Sequence, residues 1–345
     1  MAKNLFVVNS SINLLSTFVL ANSLFENDDN YLALVHPHGY DRWKEDKILR
    51  FMSSQDAGFK QVFPLIDKVF SKHIDYVRKN IKTLNVDNVF LGNDCGVQNQ
   101  LLMSTLGIKK FYRLDDGLGS YYIDKKRSYI RSWFHKIKLQ LLMIIWGINS
   151  GFPVNTKGMG ESEAALGDCL LMPEILQRYS PKVIEITSEM VKKAMCKLKS
   201  NGLLEQELFG YKYIIFLSET ITEIKRFNFS FKDEIKIIKN IIDNMDTKTK
   251  LIYKPHPNEN PYKVEYIKEN FKEVIVNESK LPVEFILYKE PLINDVVSYF
   301  CSTLIFAKKV VRPNIRCVSL AKIGNIEIDP LYKSMMEKAG VEFEF

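Results

Sequence analysis

Short apolar runs and helix-length amphipathic segments alternate along the first half of the chain. Apolar residues at helical spacing predict helices over residues 14–24 and 63–82. Short apolar runs predict strands at residues 4–8, 31–35, 88–92 and 108–112. This alternation predicts a parallel sheet with helices on both faces. The strand–turn–helix opening is typical of Rossmann-like domains, although its polar turn lacks the G-x-G-x-x-G fingerprint of dinucleotide binding.

The same rhythm returns after a less regular middle part. We expect residues 151–167 to form a loop and residues 173–204 to form a charged, helical connection. Further strands are predicted at residues 213–217, 251–253 and 296–300, and further helices at residues 231–245, at residues 282–287 and after residue 303. A chain of this length accommodates two cores, so we predict α/β domains over residues 1–204 and 205–345.

Composition narrows the classes of partner. The 48 Lys and Arg against 41 Asp and Glu give a net charge of +7, which favours anions such as nucleotides, acidic glycans or a membrane surface. The sequence shows no basic stripe with interleaved aromatic residues, so we do not expect nucleic-acid binding. The five cysteines are scattered without a C-x-x-C pair, which argues against disulfides or structural zinc and fits a reducing cytoplasm.

The apolar segments are too interrupted for a membrane-spanning or targeting segment. None approaches the ~18–20 residues that a transmembrane helix needs. Polar residues at positions 9–13 divide the first apolar segment into a strand and a helix, so we expect no cleaved signal peptide.

Residues 125–146 predict a basic amphipathic helix with an apolar end. Arg127, Arg131, His135 and Lys138 fall on one helical face, whereas Trp133, Phe134 and neighbouring aliphatic residues fill another. Such a helix suits an anionic membrane surface. A core helix with a solvated basic face is an equally good interpretation at this stage.

Two adjacent carboxylates, Asp115 and Asp116, lie where the strand predicted at residues 108–112 ends, and glycines follow them. Ligands of open α/β sheets bind at the carboxyl ends of strands. Two like charges side by side also raise at least one pKa, which suits a general base. Ordinary turn chemistry is the competing interpretation of Asp-Asp-Gly.

Other strand ends in the second half carry candidate binding groups. His256 lies between two prolines after a predicted strand, and Ser302 and Thr303 begin a predicted helix. An imidazole can bind or protonate a phosphate oxygen, and hydroxyls at a helix N-terminus suit an anion. Glu284 could accept hydrogen bonds from a ribose. Structural turns and helix caps are the alternatives for each.

In this order, the motifs resemble the three signatures of bacterial GT-B sialyltransferases, which include lipooligosaccharide sialyltransferases and capsular polysialyltransferases. The matching segments are Asp115-Asp116-Gly117, Lys254-Pro255-His256-Pro257 and Cys301-Ser302-Thr303-Leu304. Residues 213–223 resemble the start of the family's donor domain, and Asp329-Pro330-Leu331-Tyr332 resembles the start of its last helix. Thr303 replaces a second serine, and residues 125–204 match no part of the pattern.

The resemblance implies a GT-B fold, with two Rossmann-like domains whose parallel sheets face across a cleft. The first domain would bind the acceptor and carry the base, and the second would bind the CMP-sugar donor. The last helix is a candidate for packing back on the first domain. The implied reaction is inverting transfer of sialic acid from CMP-sialic acid to a hydroxyl of a cell-surface glycan: lipooligosaccharide, O-antigen or capsule.

The resemblance also assigns roles to residues. Asp116, or its neighbour Asp115, would deprotonate the acceptor hydroxyl, and His256 would stabilise or protonate the departing phosphate. The nucleotide would be held by Ser218, Lys254, His256, Pro257, Glu284, Ser302 and Thr303. No metal or other cofactor is expected, because a nucleoside monophosphate leaving group carries less charge than a diphosphate and no D-x-D pattern adjoins a phosphate loop.

Two other functions remain open from the sequence. A transferase of the same architecture could use CMP-Kdo or another CMP-nonulosonic acid, or the scaffold could bind glycans or membranes without catalysis. The second His-Pro pair, His36-Pro37, precedes the acidic motif and is interpreted as an acceptor-side or structural element. We expect a cytoplasmic protein that is peripheral on the inner face of the membrane.

Overall fold

The computed structural model describes residues 1–35, 40–67, 69–121, 129–148, 155, 159–223, 227–256, 258–279 and 281–343. The chain forms two compact units, Met1–Leu203 and Leu204–Phe345. This boundary lies one residue from the position expected above. The roles of the two domains remain predictions.

The first unit is built on one seven-stranded parallel sheet. Its strands are β1 (Lys3–Val8), β2 (Asp29–Val35), β3 (Gln61–Leu65), β4 (Asn88–Leu91), β5 (Phe111–Leu114), β6 (Ala165–Leu170) and β7 (Val183–Glu185). They are arranged in the order β3-β2-β1-β4-β5-β6-β7. The central strands β1 and β2 are buried almost throughout because helices cover both faces of a parallel sheet, which explains their continuous apolar sequences.

The helices of the first unit connect these strands. They are α1 (Ser11–Ala21), α2 (Tyr40–Glu45), α3 (Lys47–Met52), α4 (Ile74–Tyr76), α5 (Val97–Leu106), α6 (Tyr129–Ile145) and α7 (Ser188–Ser200). Short 3-10 segments occupy Gln55–Ala57, Phe70–His73, Lys82–Leu84 and Pro173–Ile175, and a short π-helix occupies Val77–Ile81. No helix within the described part of the chain is long and apolar enough to cross a bilayer.

The second unit is a six-stranded parallel sheet with the order β10-β9-β8-β11-β12-β13. The strands are β8 (Lys212–Leu217), β9 (Thr249–Lys254), β10 (Ile275–Val276), β11 (Ile293–Ser298), β12 (Arg316–Ser319) and β13 (Glu342–Phe343). The helices are α8 (Phe231–Asp243), α9 (Pro261–Asn270), α10 (Val283–Lys289), α11 (Ser302–Val310) and α12 (Pro330–Lys338), with a 3-10 turn at Thr220–Glu223.

Local sequence fixes several helix starts in the second unit. Ser230 and Asp233 form a capping box at the start of α8. Asn260 and Asp329 cap α9 and α12, and each is followed by a proline at the first helical position, where the missing N–H has no cost. The predicted start of the last helix at Asp329 is therefore confirmed, and this helix belongs to the second unit.

Three predictions about the first unit were wrong in part. The helix expected over residues 63–82 begins as strand β3, in which Phe63 and Leu65 are buried and Pro64 is exposed; Pro64 is tolerated because β3 is an edge strand. The loop expected up to residue 167 ends earlier, since β6 starts at Ala165. Of residues 173–204, only Ser188–Ser200 is α-helical, and the mostly exposed strand β7 precedes it.

Candidate active site

The two neighbouring carboxylates at the end of β5 have different surroundings. We call residues 115–120 the acidic loop. Asp115 is completely buried, whereas Asp116 is half-buried. Gly117 follows with a φ of +76°, a left-handed conformation that favours glycine. Only the second carboxylate of the pair is therefore accessible from solvent.

Asp115 holds the acidic loop to the end of β6. Its carboxylate accepts hydrogen bonds from the Gly117 N–H at 2.9 Å, from the Leu171 N–H at 3.0 Å and from the Tyr121 hydroxyl. Burial raises the pKa of Asp115 to about 7, and the charge of Asp116 acts in the same direction. Desolvation is thus the main cause of the raised pKa, and the like-charge repulsion expected from the sequence is secondary.

Asp116 is held by the turn that joins β1 to α1. Its Oδ1 accepts a hydrogen bond from the Ser10 hydroxyl at 2.7 Å, and its N–H donates to Ser120 Oγ at 2.8 Å. Ser10 also caps α1 by accepting from the Asn13 N–H at 3.2 Å. Asn13 Nδ2 in turn donates to the Asp115 carbonyl at 2.7 Å. The turn without a dinucleotide fingerprint therefore orients the acidic loop, a role that the sequence analysis missed.

A buried ion cluster lies beside this loop. The Asp168 carboxylate pairs with Arg113 Nε at 2.6 Å and with Arg178 Nη2 at 2.5 Å. Burial acts to raise the pKa of Asp168, but the hydrogen bonds and charges of the two arginines outweigh it and lower that pKa. Arg178 Nε also donates to the Ser120 carbonyl at 2.9 Å. A buried charge requires such pairing, and here the pairing also fixes the end of the acidic loop.

In the second unit, His256 follows β9 and is half-buried. Its Nδ1 accepts a hydrogen bond from the Asn258 N–H at 3.1 Å. Burial lowers the pKa of His256, an effect opposed by the carboxylates of Glu259 and Glu223. Burial therefore favours the neutral form of the imidazole. Because Nδ1 is an acceptor, the proton of the neutral ring lies on Nε2, which makes Nε2–H a donor.

Ser218 and Lys254 are engaged inside the protein. The Ser218 hydroxyl is buried and lies 2.8 Å from Glu259 Oε1, 3.0 Å from Glu234 Oε1 and 3.0 Å from Lys263 Nζ. The Lys254 ammonium donates to the carbonyl of Ser279. These contacts give both residues a supporting role in the strand ends around His256.

Helix α11 brings three of the predicted binding residues together. The Thr303 hydroxyl donates to Glu284 Oε1 at 3.0 Å, and burial raises the pKa of Glu284. Ser302, the first residue of α11, is half-exposed. A half-exposed hydroxyl at a helix N-terminus suits a phosphate group.

A buried carboxylate that was not among the predicted residues shapes the turn before α11. Glu219 Oε1 accepts hydrogen bonds from the Ser298 hydroxyl at 2.7 Å and from the N–H groups of Phe300 at 2.8 Å and Tyr299 at 3.1 Å. Tyr332 of α12 donates its hydroxyl to the Phe300 carbonyl. The segment that resembles the start of the family's last helix therefore also fixes this turn.

The predicted residues that lie outside the described part of the chain are Pro257, His36, Pro37 and Arg127. Across the described ranges, no three His, Cys, Asp or Glu side chains come together in a way that could hold a metal ion. The candidate chemistry is therefore found at two places: the acidic loop of the first unit, and the ends of β9 and β11 in the second.

Solved structures with the same architecture define the class of fold. The chain is similar to the GT-B domain of a Photobacterium damselae sialyltransferase, with 13% identity and a TM-score of 0.52, covering 99% of this chain and 100% of that one. It is also similar to a UDP-GlcNAc 2-epimerase from Neisseria meningitidis, with 12% identity and a TM-score of 0.54, covering 99% of this chain and 86% of that one. A UDP-GlcNAc 2-epimerase from Methanocaldococcus jannaschii has 14% identity and a TM-score of 0.54, covering 99% of this chain and 92% of that one. The fold is GT-B. Since transferases and epimerases share it, the fold alone does not decide the reaction.

The family follows from the sequence. The model of the alpha-2,8-polysialyltransferase (POLYST) family matches residues 4–321, and the chain belongs to this family. The resemblance to bacterial GT-B sialyltransferases is thereby confirmed, and the protein is a glycosyltransferase of the sialyltransferase class. The comparison with curated proteins finds no match.

We predict that Gly92→Ala disturbs the acidic loop. A Cβ at Gly92 would lie 2.2 Å from Asn13 Oδ1, and Asn13 holds the Asp115 carbonyl. Overpacking of this kind costs about 1–3 kcal/mol, so the midpoint of thermal unfolding should fall. Gly96→Ala is the matched control, because its Cβ would meet Asn93 Oδ1 at 3.4 Å, an ordinary contact. Equal midpoints for the two variants would contradict the account of Asn13.

A second prediction concerns pH. The folded protein favours protonated Asp115, so the stabilising contribution of this group is complete below about pH 4, its unfolded pKa, and is lost as the pH rises through about 7. Asp115→Asn should remove this contribution. The difference in unfolding free energy between wild type and variant should therefore change by up to about 1.4 kcal/mol per pH unit across this window. A difference independent of pH would show that Asp115 is ionised throughout.

Proposed function

We propose that this protein is an inverting sialyltransferase that moves sialic acid from CMP-sialic acid to a hydroxyl of a cell-surface glycan. The observation that carries the proposal is the acidic loop, in which one carboxylate is sealed inside the first unit and its neighbour is oriented but accessible. Together with membership of the family, this arrangement supports an oriented general base.

Asp116 is the proposed base. It takes the proton of the acceptor hydroxyl as the acceptor oxygen forms its bond to the anomeric carbon of sialic acid. The Ser10 hydroxyl holds the carboxylate of Asp116, and the Ser120 hydroxyl holds its backbone N–H. The side chain therefore loses little conformational entropy on reaching the transition state. Asp115 is a positioning residue, because the hydrogen bonds of its carboxylate to Gly117, Tyr121 and Leu171 join parts of the first unit.

The second unit is the proposed donor domain, and the first the acceptor domain. As the bond from the anomeric carbon to the phosphate oxygen breaks, the phosphate keeps the electron pair and receives the Nε2–H hydrogen bond of His256. Ser302 and the N-terminus of α11 stabilise the same negative charge. Glu284 is the proposed acceptor for the ribose hydroxyls, and Thr303 donates a hydrogen bond to its carboxylate. These groups form the basis for transfer without a metal ion.

Family membership also bears on the acceptor. The family description names α2,8 linkage and polysialylation, so a glycan that already ends in sialic acid is the proposed acceptor, with capsule as the favoured surface polymer over lipooligosaccharide or O-antigen. CMP-Kdo or another CMP-nonulosonic acid remains the alternative donor. A non-catalytic scaffold would bind CMP without turnover.

Helix α6 supports the proposal that the protein binds the inner face of the cytoplasmic membrane. Its Leu139 and Met143 are buried in the core. On the opposite side, an apolar stripe is exposed to solvent, formed by Trp133 (52%), Phe134 (60%), Leu141 (53%), Ile144 (75%) and Ile145 (71%). The helix therefore packs one face in the core, as the core-helix interpretation expects. Its other face is apolar and exposed, as the membrane-surface interpretation expects.

Exposed lysines accompany the apolar stripe. Lys136 and Lys138 are exposed, and at 100° per residue they fall on either side of the stripe. An apolar strip between cations is the arrangement that an anionic bilayer surface binds, since the strip enters the headgroup region while the ammonium groups contact phosphates. An anionic lipid surface is therefore the proposed occupant of this stripe.

The base is tested by Asp116→Asn in the presence of EDTA. The variant should lose about 10²- to 10⁴-fold in kcat for transfer from CMP-sialic acid. Its affinity for CMP, measured by calorimetry, should stay near the wild-type value because the base acts on the acceptor. Asp75→Asn, a change at a fully exposed carboxylate, is the control. If Asp116→Asn is active and a folded Asp115→Asn is not, Asp115 is the base; if both are active, the mechanism is wrong.

The membrane site is tested with liposomes. Binding to anionic vesicles should exceed binding to neutral ones and should weaken in high salt without vanishing. The double change Lys136→Glu and Lys138→Glu should reduce it by at least about tenfold, since each basic residue contributes about 1 kcal/mol near anionic lipid. Ile144→Ser should weaken the binding to anionic vesicles that is still measured in high salt.

The matched control for this test is Lys192→Glu with Lys199→Glu, which makes the same change in charge at exposed positions of α7. It should leave binding to the vesicles nearly unchanged. Equal binding to neutral and anionic vesicles, or none to either, would contradict the membrane proposal. Self-association of the protein that Ile144→Ser abolishes would assign the stripe to a second copy instead.

A further inference from the structure

The turn that carries His256 is closed by the side chain of Glu259. Glu259 Oε2 accepts a hydrogen bond from the His256 N–H at 2.9 Å. In the opposite direction, the Glu259 N–H donates to the His256 carbonyl at 2.9 Å. The Asn258 N–H, within the same turn, is the group that donates to Nδ1 of the imidazole. The orientation of the ring therefore depends on a turn that Glu259 holds from both ends.

Glu259 is itself anchored on its other oxygen. Glu259 Oε1 is paired with the ammonium of Lys263 and lies 2.8 Å from the Ser218 hydroxyl. Lys263 also pairs with Glu234 of α8. All four side chains are buried. They connect the end of β8 and the helices α8 and α9 to the turn of His256, and we call them the buried network.

The charges of the buried network are unequal, with two carboxylates around one ammonium. Burial raises the pKa of Glu234 to about 7, so a fraction of Glu234 is protonated near neutral pH and Glu259 is the principal counter-ion of Lys263. A buried ion pair often contributes less stability than apolar side chains of the same volume would. In this network the ion pair holds Glu259 in the position where its Oε2 accepts a hydrogen bond from the His256 N–H.

We propose that Glu259, anchored by Lys263, is a positioning residue that fixes the turn of His256 and thereby keeps Nε2–H directed at the leaving phosphate. The catalytic meaning of this inference rests on the proposed function. Its structural part, the control of the imidazole by Glu259, does not. The two parts can therefore be tested separately.

The structural part is tested by ¹⁵N NMR of the imidazoles in the full chain, without donor. In the wild type, His256 should carry its proton on Nε2. His73 provides an internal reference of the opposite kind, because its Nε2 accepts from the Asp67 N–H at 3.0 Å and its proton therefore lies on Nδ1. In Glu259→Gln, the amide cannot pair with Lys263 as the carboxylate does, so His256 should become a mixture of tautomers while His73 is unchanged.

The catalytic part is tested by kinetics on the same variants. Glu259→Gln should lower kcat by about 10- to 100-fold, the usual effect of a misplaced group, with CMP affinity within about threefold of wild type. Lys263→Met, which keeps an apolar stem of similar length, should act in the same direction and replaces Glu259→Gln if that variant fails to fold. Glu290→Gln is the matched control, since Glu290 is a buried carboxylate that accepts from the N–H groups of Glu207 and Leu208.

The outcomes separate the claims. Folded variants with a wild-type His256 tautomer and a wild-type kcat would overturn the inference. Equal losses in Glu290→Gln and Glu259→Gln would also overturn it, because they would reflect general loss of stability. If the wild type transfers no sugar at all, the proposed function fails, while the tautomer comparison still decides whether Glu259 controls the imidazole.

Discussion

Buried carboxylates that bind backbone N–H groups are the constraint on which both candidate sites depend. Where a parallel strand ends, the chain turns and leaves N–H groups without partners in the sheet, and burying such groups unpaired is costly. Asp115 satisfies those of Gly117 and Leu171, and Glu219 satisfies those of Tyr299 and Phe300. Glu259 does the same for His256. Each carboxylate thereby fixes one turn in one conformation.

This arrangement separates the groups that hold the turns from the groups that meet the substrate. The supporting carboxylates are buried, and burial raises the pKa of Asp115 and Glu219. The neighbouring side chains proposed for chemistry, Asp116, His256 and Ser302, are left half-buried. Half-burial suits a base or a phosphate ligand, because the group is oriented by the protein but can still reach a substrate. Rigid turns around accessible groups are what preorganised catalysis requires.

The sequence predicted the parts whose information is local. Strands such as β1 and β8 and the helix α8 were found because their apolar periodicity is unbroken, and Asp116, His256 and Ser302 were found because they stand in short motifs at strand ends. The supporting groups were missed because their partners are distant in sequence: Glu219 binds Ser298 over 79 residues, and Asp168 binds Arg113 over 55. The short strands β3 and β7 were missed because edge strands bury only part of their length and show too few alternations to be distinguished from the helical segments predicted there.

The most direct test of the account is the reaction itself. The wild-type protein is incubated with CMP-sialic acid or CMP-Kdo and with acceptors that end in sialic acid, galactose or another neutral sugar, and the products are analysed by NMR. The account predicts release of CMP together with a sialylated product whose anomeric configuration is opposite to that of the donor, favoured by the sialic acid-terminated acceptor. Tight binding of CMP with no product from any pair, or transfer with retained configuration, would contradict it.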